Sequence, residues 1–212
     1  MRKITINLAA VAAFCIVVAS PALVSSSCAT PKTEQEDTTI IREDSGITAL
    51  KYSSPEVPAS IEFCGKTIDL SRFDRHERMD RELLAFTYMH STSLQMLKKA
   101  NRYFPIVEPI LKENGIPDDF KYLMVIESNM NPTARSSAGA AGLWQFMQGT
   151  GRDYGLEVNN NVDERYHIEK APRAACRYLK DAYAKYKDWV AVAASYNAGQ
   201  ARIASQLAKQ DV

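Results

Sequence analysis

Glu127 is the residue of this chain best placed for proton chemistry. The run from Asp118 to Glu127 reads as helical, with Phe120, Leu123, Met124 and Glu127 at i, i+3, i+4 and i+7. The carboxyl therefore shares the apolar face of its helix and stands at the helix C-terminus. Desolvation raises the pKa of an acid so placed, and the negative end of the helix dipole pushes the same way. A carboxylic acid kept protonated near neutral pH in this manner is suited to general-acid work. Between Glu127 and Asp153 the chain carries no other acidic residue, so no local partner carboxylate is indicated.

The elements around Glu127 have their own signals. Asn131-Pro132 is expected to break the helix, because the residue before proline is pushed out of the αR region. A turn rich in Gly, Ala and Ser follows, and Gly142-Leu143-Trp144-Gln145-Phe146-Met147 is expected to begin a second helical piece. Gly139 and Gly142 leave the backbone bare where another group can come close. Trp144 stands between two readings, an aromatic surface for a ligand and an ordinary core residue. A later stretch, Ala194-Ser195-Tyr196-Asn197-Ala198-Gly199, closes a helix on a glycine.

Taken together, Glu127–Met147 and Ala194–Gly199 resemble the lytic transglycosylases of the soluble-transglycosylase (SLT) type, most closely the membrane-bound murein transglycosylase D group. That family carries E-S-x-x-N-P-x-A-x-S-x-x-G-A-x-G-L-[MW]-Q-F-M and later A-x-Y-N-A-G, both nearly complete here from roughly Phe73 onward. The resemblance implies a mainly α, lysozyme-like (goose-type/SLT) catalytic domain, with at most a short β hairpin near residues 61–70. It implies peptidoglycan glycan strands as the partner, no cofactor, and Glu127 as the catalytic acid. Glu127 would protonate the bond between N-acetylmuramic acid and N-acetylglucosamine. Its carboxylate would then take the muramyl 6-hydroxyl proton, closing a 1,6-anhydro ring without water. Ser136 matches the motif serine near the acetamido-binding region, with Ser137 adjacent in case the register slips by one. Gln145 and Met147 match positions lining the sugar groove. Tyr196 matches a hydroxyl donor directed toward Glu127 or the sugar. Asp163 and Arg165 match a D-x-R element and are assigned structural ion-pair roles before catalytic ones.

Two departures from the family pattern stand out. Gln148 occupies a position where the family usually has Pro. The chain also stops 13 residues after Gly199, where family members continue with a helical segment carrying an E-T-x-x-Y-V-like element. The alternatives to a transglycosylase are a muramidase that uses water and a non-catalytic peptidoglycan-binding module.

The rest of the chain divides as follows. Residues 1–29 read as an export leader: Met1-Arg2-Lys3, an apolar run to about Ala22, then small residues. Its uninterrupted apolar stretch, Leu8 to Ala19, is short for a membrane span. Cys28 is the candidate for a lipid anchor, set against ordinary signal cleavage. Residues 30–60, rich in Thr, Ser, Glu, Asp and Pro, read as a flexible linker. Residues 61–115 read as an N-terminal extension packing on the core, and residues 116–212 as the catalytic domain, C-terminally truncated. Within the extension, residues 61–70 are open between a hairpin and an extended strap.

The 29 residues from Asp74 to Arg102 read as one helix. Met79, Leu83, Phe86, His90, Leu94 and Leu97 form its buried stripe, His90 as a core histidine. Pro105 to Asn114 reads as a separate short helix ended by Gly115. A long helix follows Asp163–Tyr166, burying Ala175, Leu179, Ala182 and Tyr186, and a last amphipathic piece spans Arg202 to Lys209. Cys64 and Cys176 are open between a disulfide and two buried thiols. No metal-ligand spacing occurs. The balance of 26 basic against 25 acidic residues lacks the excess of positive charge that nucleic-acid binding requires.

Overall fold

The computed structural model describes residues 55–209. The leader, Cys28 and most of the linker therefore lie outside the described residues, as do residues 210–212. The described chain is mainly helical with one two-stranded antiparallel sheet.

Strands β1 (Ser60–Phe63) and β2 (Lys66–Asp69) form the hairpin, with Ser60 opposite Asp69 and Phe63 opposite Lys66. Its two-residue turn, Cys64-Gly65, has positive φ at both positions (50° and 76°), the backbone that matches strand twist. Ile61 and Phe63 point inward. Ile61 joins Leu70, Met79 and Leu83 in a small cluster, whereas Phe63 is fully buried in the main core against Phe120. The hairpin thus packs directly on the segment that leads to Glu127.

Helix α1 (Phe73–Tyr88) and helix α2 (His90–Glu113) replace the single helix expected over 74–102. The break is Met89, whose ψ of 50° takes it out of helical geometry. Such a break rotates the helical phase. Met79 and Leu83 stay buried, but His90, Leu94 and Leu97 face solvent, and the buried face of α2 is Met96, Ala100, Tyr103, Phe104, Val107, Ile110 and Leu111. His90 is therefore not a core histidine.

Helix α2 also absorbs the short helix expected from Pro105. Both Pro105 and Pro109 lie inside it, on its exposed side. Each lacks the N–H for an i−4 carbonyl, but Asn101 and Pro105, whose carbonyls are freed, are themselves exposed and open to water. At the far end, Ile116 N–H bonds Leu111 O and Gly115 N–H bonds Lys112 O, a Schellman closure that buries Ile116.

The Glu127 helix is shorter than its periodicity suggests. A 3-10 turn, Asp118–Tyr122, precedes α3, Leu123–Ser128. The helix ends before Asn131-Pro132, through two consecutive left-handed residues, Asn129 (φ 49°) and Met130 (φ 51°). Left-handed backbone costs an L-residue about 1–2 kcal/mol. Complete burial of the Met130 side chain offsets that cost, and Met130 N–H reaches back to Met124 O.

Gly142–Met147 is not helical. It is a tight turn closed by backbone bonds between Ala141 and Phe146 in both directions, and helix α4 (Gln148–Asp153) begins only after it. A 3-10 turn (Glu164–Tyr166) leads to α5 (Lys170–Tyr186), with Pro172 in its first turn. Ala175, Leu179 and Ala182 are fully buried, as the spacing predicts. Helix α6 (Trp189–Ala198) is capped by Asp188, whose carboxylate accepts from Val190 N–H, and ends at Gly199. Helix α7 (Gln200–Ala208) buries no side chain. Cys64 and Cys176 are free thiols. Burial pushes both thiols up from their ordinary range, Cys176 to about 11.

Candidate active site

Glu127 occupies the penultimate position of α3, half-buried beside the 142–147 turn. Burial alone raises its pKa from the ordinary 4.5 to about 7. A carboxylate close enough to act as a nucleophile beside it would add a like-charge contribution, and a neighbouring cation would oppose the rise. Glu127 is thus half-protonated near neutrality, able to give up a proton and to take one back.

The floor under Glu127 is a turn whose carbonyls are captured by side chains from three separate elements. Ser128 Oγ, next to Glu127, donates toward Leu143 O at 3.1 Å while also lying 3.0 Å from Met124 O. Tyr196 Oη on α6 donates to Trp144 O at 2.8 Å. Arg165 Nη1 donates to Phe146 O at 2.9 Å and to Gly139 O at 2.8 Å. Each donor draws one part of the fold onto the same four-residue stretch, Leu143 to Phe146, and together they hold the turn against α3.

Arg165 is nearly inaccessible, with 2 % of its side chain exposed, and Asp163 pairs with it in a fork: Nη2 to Oδ2 at 2.6 Å and Nε to Oδ1 at 2.9 Å. The ion-pair role expected for these two residues is the one observed. The Arg165 guanidinium holds the Asp163 carboxyl below the usual range. Gly142 lies against the Arg165 backbone so closely that a Cβ there would sit 1.9 Å from Arg165 O, and its φ is 78°. Only glycine meets both conditions.

The other motif residues surround this floor. Ser136 turns its hydroxyl inward to accept from Ala140 N–H at 3.0 Å, closing the loop before the turn. Gln145, at φ 48°, donates its side-chain amide to Gly142 O (2.8 Å) and Ala134 O (3.3 Å), lacing turn to loop. Met147 is 46 % exposed at the start of α4. Trp144 is completely buried, which decides its two readings in favour of core. Tyr196 packs its ring against Phe146 and Tyr178. Burial first, and then the Glu127 charge, raise the Tyr196 phenol well above its ordinary value, so hydroxyl and carboxyl share one pocket. The Tyr196 proton, however, points at Trp144 O rather than at Glu127.

The E-S pair, the G-L-W-Q-F-M turn and the Tyr196 helix thus form one constellation, and the comparison with known proteins agrees with it. Residues 105–211, just over half of the chain, match the transglycosylase SLT domain. The chain belongs to the transglycosylase SLT domain family. The chain is 30% identical over 128 residues to the membrane-bound lytic murein transglycosylase D of Escherichia coli (strain K12), covering 60% of this chain and 27% of that protein. It is 33% identical over 93 residues to the peptidoglycan transglycosylase gp16 of Escherichia phage T7, covering 42% of this chain and 7% of that protein. The chain therefore spans about a quarter of the length of the first relative and far less of the second. The mainly helical, lysozyme-like fold that the motifs imply is the fold of this SLT domain.

Reading by motif passed over two residues that support the site. Ser128 stands in the motif beside Glu127, but its tie to Leu143 follows from tertiary packing alone. Tyr178, which seats the Tyr196 ring, falls between Ala175 and Leu179 on the buried side of α5. That spacing is its only signal in the sequence.

Proposed function

We propose that this chain is a peptidoglycan lytic transglycosylase, with Glu127 acting first as general acid and then as general base. The observation that carries this reading is the Glu127 carboxyl itself, its pKa brought by burial alone to about 7. As an acid it protonates the oxygen of the β-1,4 bond between N-acetylmuramic acid and N-acetylglucosamine. The muramyl 2-acetamido group stabilises the developing positive centre, as a one-carboxylate site requires. The Glu127 carboxylate then removes the proton of the muramyl 6-hydroxyl, which closes on C1 to leave a 1,6-anhydro end. A pKa near 7 suits both steps, since neither protonation state is strongly disfavoured at the working pH.

In this reading Ser136 borders the acetamido subsite, Gln145 and Met147 line the groove, and Tyr196 holds the wall beside Glu127 through Trp144 O. The names of the relatives support the substrate class. The leader over residues 1–29, with Cys28 as a lipid-anchor candidate, supports export to the cell envelope. Among the described residues no helix is long and apolar enough to cross a membrane.

Digestion of purified sacculi followed by separation of the released muropeptides tests the proposal. Anhydro-muropeptides are expected. Reducing ends would assign the chain to hydrolytic muramidases, and glycan binding with no new ends would make it a binding module. Mass spectrometry of the mature N-terminus tests export: an intact Met1 in protein recovered from cells would overturn it.

A further inference from the structure

The outward face of α2 joins large apolar side chains to unpaired positive charge. Down the helix axis, Leu94 stands opposite the buried row of Met96, Tyr103 and Val107. His90 and Leu97 flank it on one side, Lys98 and Arg102 on the other, and all five residues are exposed. Leu94 is 59% exposed and Leu97 38%; Met89, at the corner between α1 and α2, is 48% exposed. That corner is tied down, with Ser93 Oγ donating to Phe86 O at 2.6 Å and Ser93 N–H to Met89 O at 2.8 Å.

Charge on this face has one sign. From Leu83 to Val107 the chain has no Asp or Glu, while Lys98, Lys99 and Arg102 fall within that stretch. The acids at its two ends are engaged, Glu82 with Arg81 at 3.0 Å and Glu108 with Lys121 at 2.8 Å. Among the described residues, Lys98 and Arg102 pair with no carboxylate.

We propose that this face of α2 docks on an anionic lipid bilayer, with Met89, Leu94 and Leu97 entering the headgroup region and Lys98 and Arg102 meeting lipid phosphates. A helix lying in the interface needs this composition: a few large apolar groups to bury, and cations whose long stems keep the charge at headgroup level. A second copy of the chain suits the face less well, because a self-complementary contact would bring the same cations together. Helix α2 also reaches the site, since Lys99 Nζ donates to Asn129 O at 3.0 Å, two residues past Glu127. Docking by this face therefore keeps Glu127 near the bilayer surface. The proposal does not depend on the transglycosylase reading.

Met89→Trp places a fluorescent reporter at the edge of the face and leaves both leucines and both cations unchanged. Trp144 is buried and Trp189 half-buried, so they supply a steady background. The full chain with this reporter is mixed with vesicles of phosphatidylcholine, or of phosphatidylcholine with phosphatidylglycerol, with some lipids brominated in the acyl chain. On the anionic vesicles the reporter emission should shift to shorter wavelength and be quenched, with an apparent affinity about tenfold or more above that for phosphatidylcholine and weakened by salt. Adding Lys98→Glu/Arg102→Glu should lower the anionic response about tenfold or more, and adding Leu94→Ser/Leu97→Ser should lower it several-fold. Both pairs lie outside the core, so melting should be unchanged. The leader is common to every variant, so a difference between variants belongs to the face.

No response on anionic vesicles, an equal response on the two lipid mixtures, or a wild-type response in either double variant overturns the proposal. So does a buried emission before lipid is added, which would mean that another part of the chain covers the face. A dimer in sedimentation velocity that Leu94→Ser/Leu97→Ser disperses would assign the face to a second copy and likewise overturn it. None of these readouts uses turnover, so a chain that releases nothing from sacculi leaves the result on lipid unaffected.

Discussion

At the scale of single residues, the proposed chemistry rests on one carboxyl, which burial brings near neutrality. Glu127→Gln keeps the shape of the side chain and removes its proton, so the rate of anhydro-muropeptide release should fall by roughly 10²–10⁴-fold with glycan affinity retained. In the wild type the pH–rate profile should turn down on the alkaline side near the Glu127 pKa of about 7. A descent centred near the ordinary glutamate value would contradict this. The same shift has a consequence for stability. Between the ordinary value of 4.5 and about 7, the folded chain holds the Glu127 proton more tightly than the unfolded chain does. Its contribution to stability is therefore complete below the lower value and is lost as pH rises through the upper one. Glu127→Gln should consequently melt with the wild type at pH 4 and above it at pH 8, by about 1–3 kcal/mol. Denaturant titrations at the two pH values measure the difference.

Elements matter here less for their regularity than for what ties them. Helix α3 is only six residues long and follows a 3-10 turn, too short to hold a carboxyl in place by itself. Its position is imposed by Ser128 on Leu143 O and by Lys99, whose Nζ donates to Asn129 O at 3.0 Å just past the helix end. The Gly142 turn is held in the same way by Arg165. Gly142→Ala would place a methyl group against Arg165 O and force a disfavoured φ. The variant should lose about 3 kcal/mol or more of stability, and the turn under Glu127 should shift with it. Calorimetry checks the first effect and sacculus digestion the second; a variant with native melting would mean that the Arg165 segment yields freely.

Across the whole molecule, the hairpin and the site share one hydrophobic core. Phe63, from the hairpin, belongs to the same buried cluster as Phe120, Leu123 and Met124, which lead to Glu127, and as Leu179 and Val192 from α5 and α6. A core continuous over such distant segments should unfold as a unit. Phe63→Ala should cost about 3–5 kcal/mol and lower a single melting transition rather than add a second. Two separate transitions in that variant would show that the hairpin segment melts apart from the site.

The sequence alone determined the family and pointed to the residues on which the proposed chemistry rests. Glu127, the turn motif and the Tyr196 motif were legible because each is defined by residue type at short spacing, and the helical fold followed from them. Local spacing also identified the buried alanines of α5, and the family's D-x-R element the Asp163–Arg165 pair. Tertiary structure decided what local pattern cannot encode. One residue out of helical geometry, Met89, changed which face of α2 is buried, so a stripe that was regular in sequence ended in solvent at His90, Leu94 and Leu97. Pro105 read as the start of a helix, yet it lies inside α2, on the exposed side, where the Asn101 carbonyl that it leaves without a donor is open to solvent. Gly142–Met147 looked helical by composition but is a turn, because carbonyls that a helix would use internally are taken by Ser128, Tyr196 and Arg165. Those donors are 15, 52 and 19 residues from their acceptors, and only the folded chain brings them together.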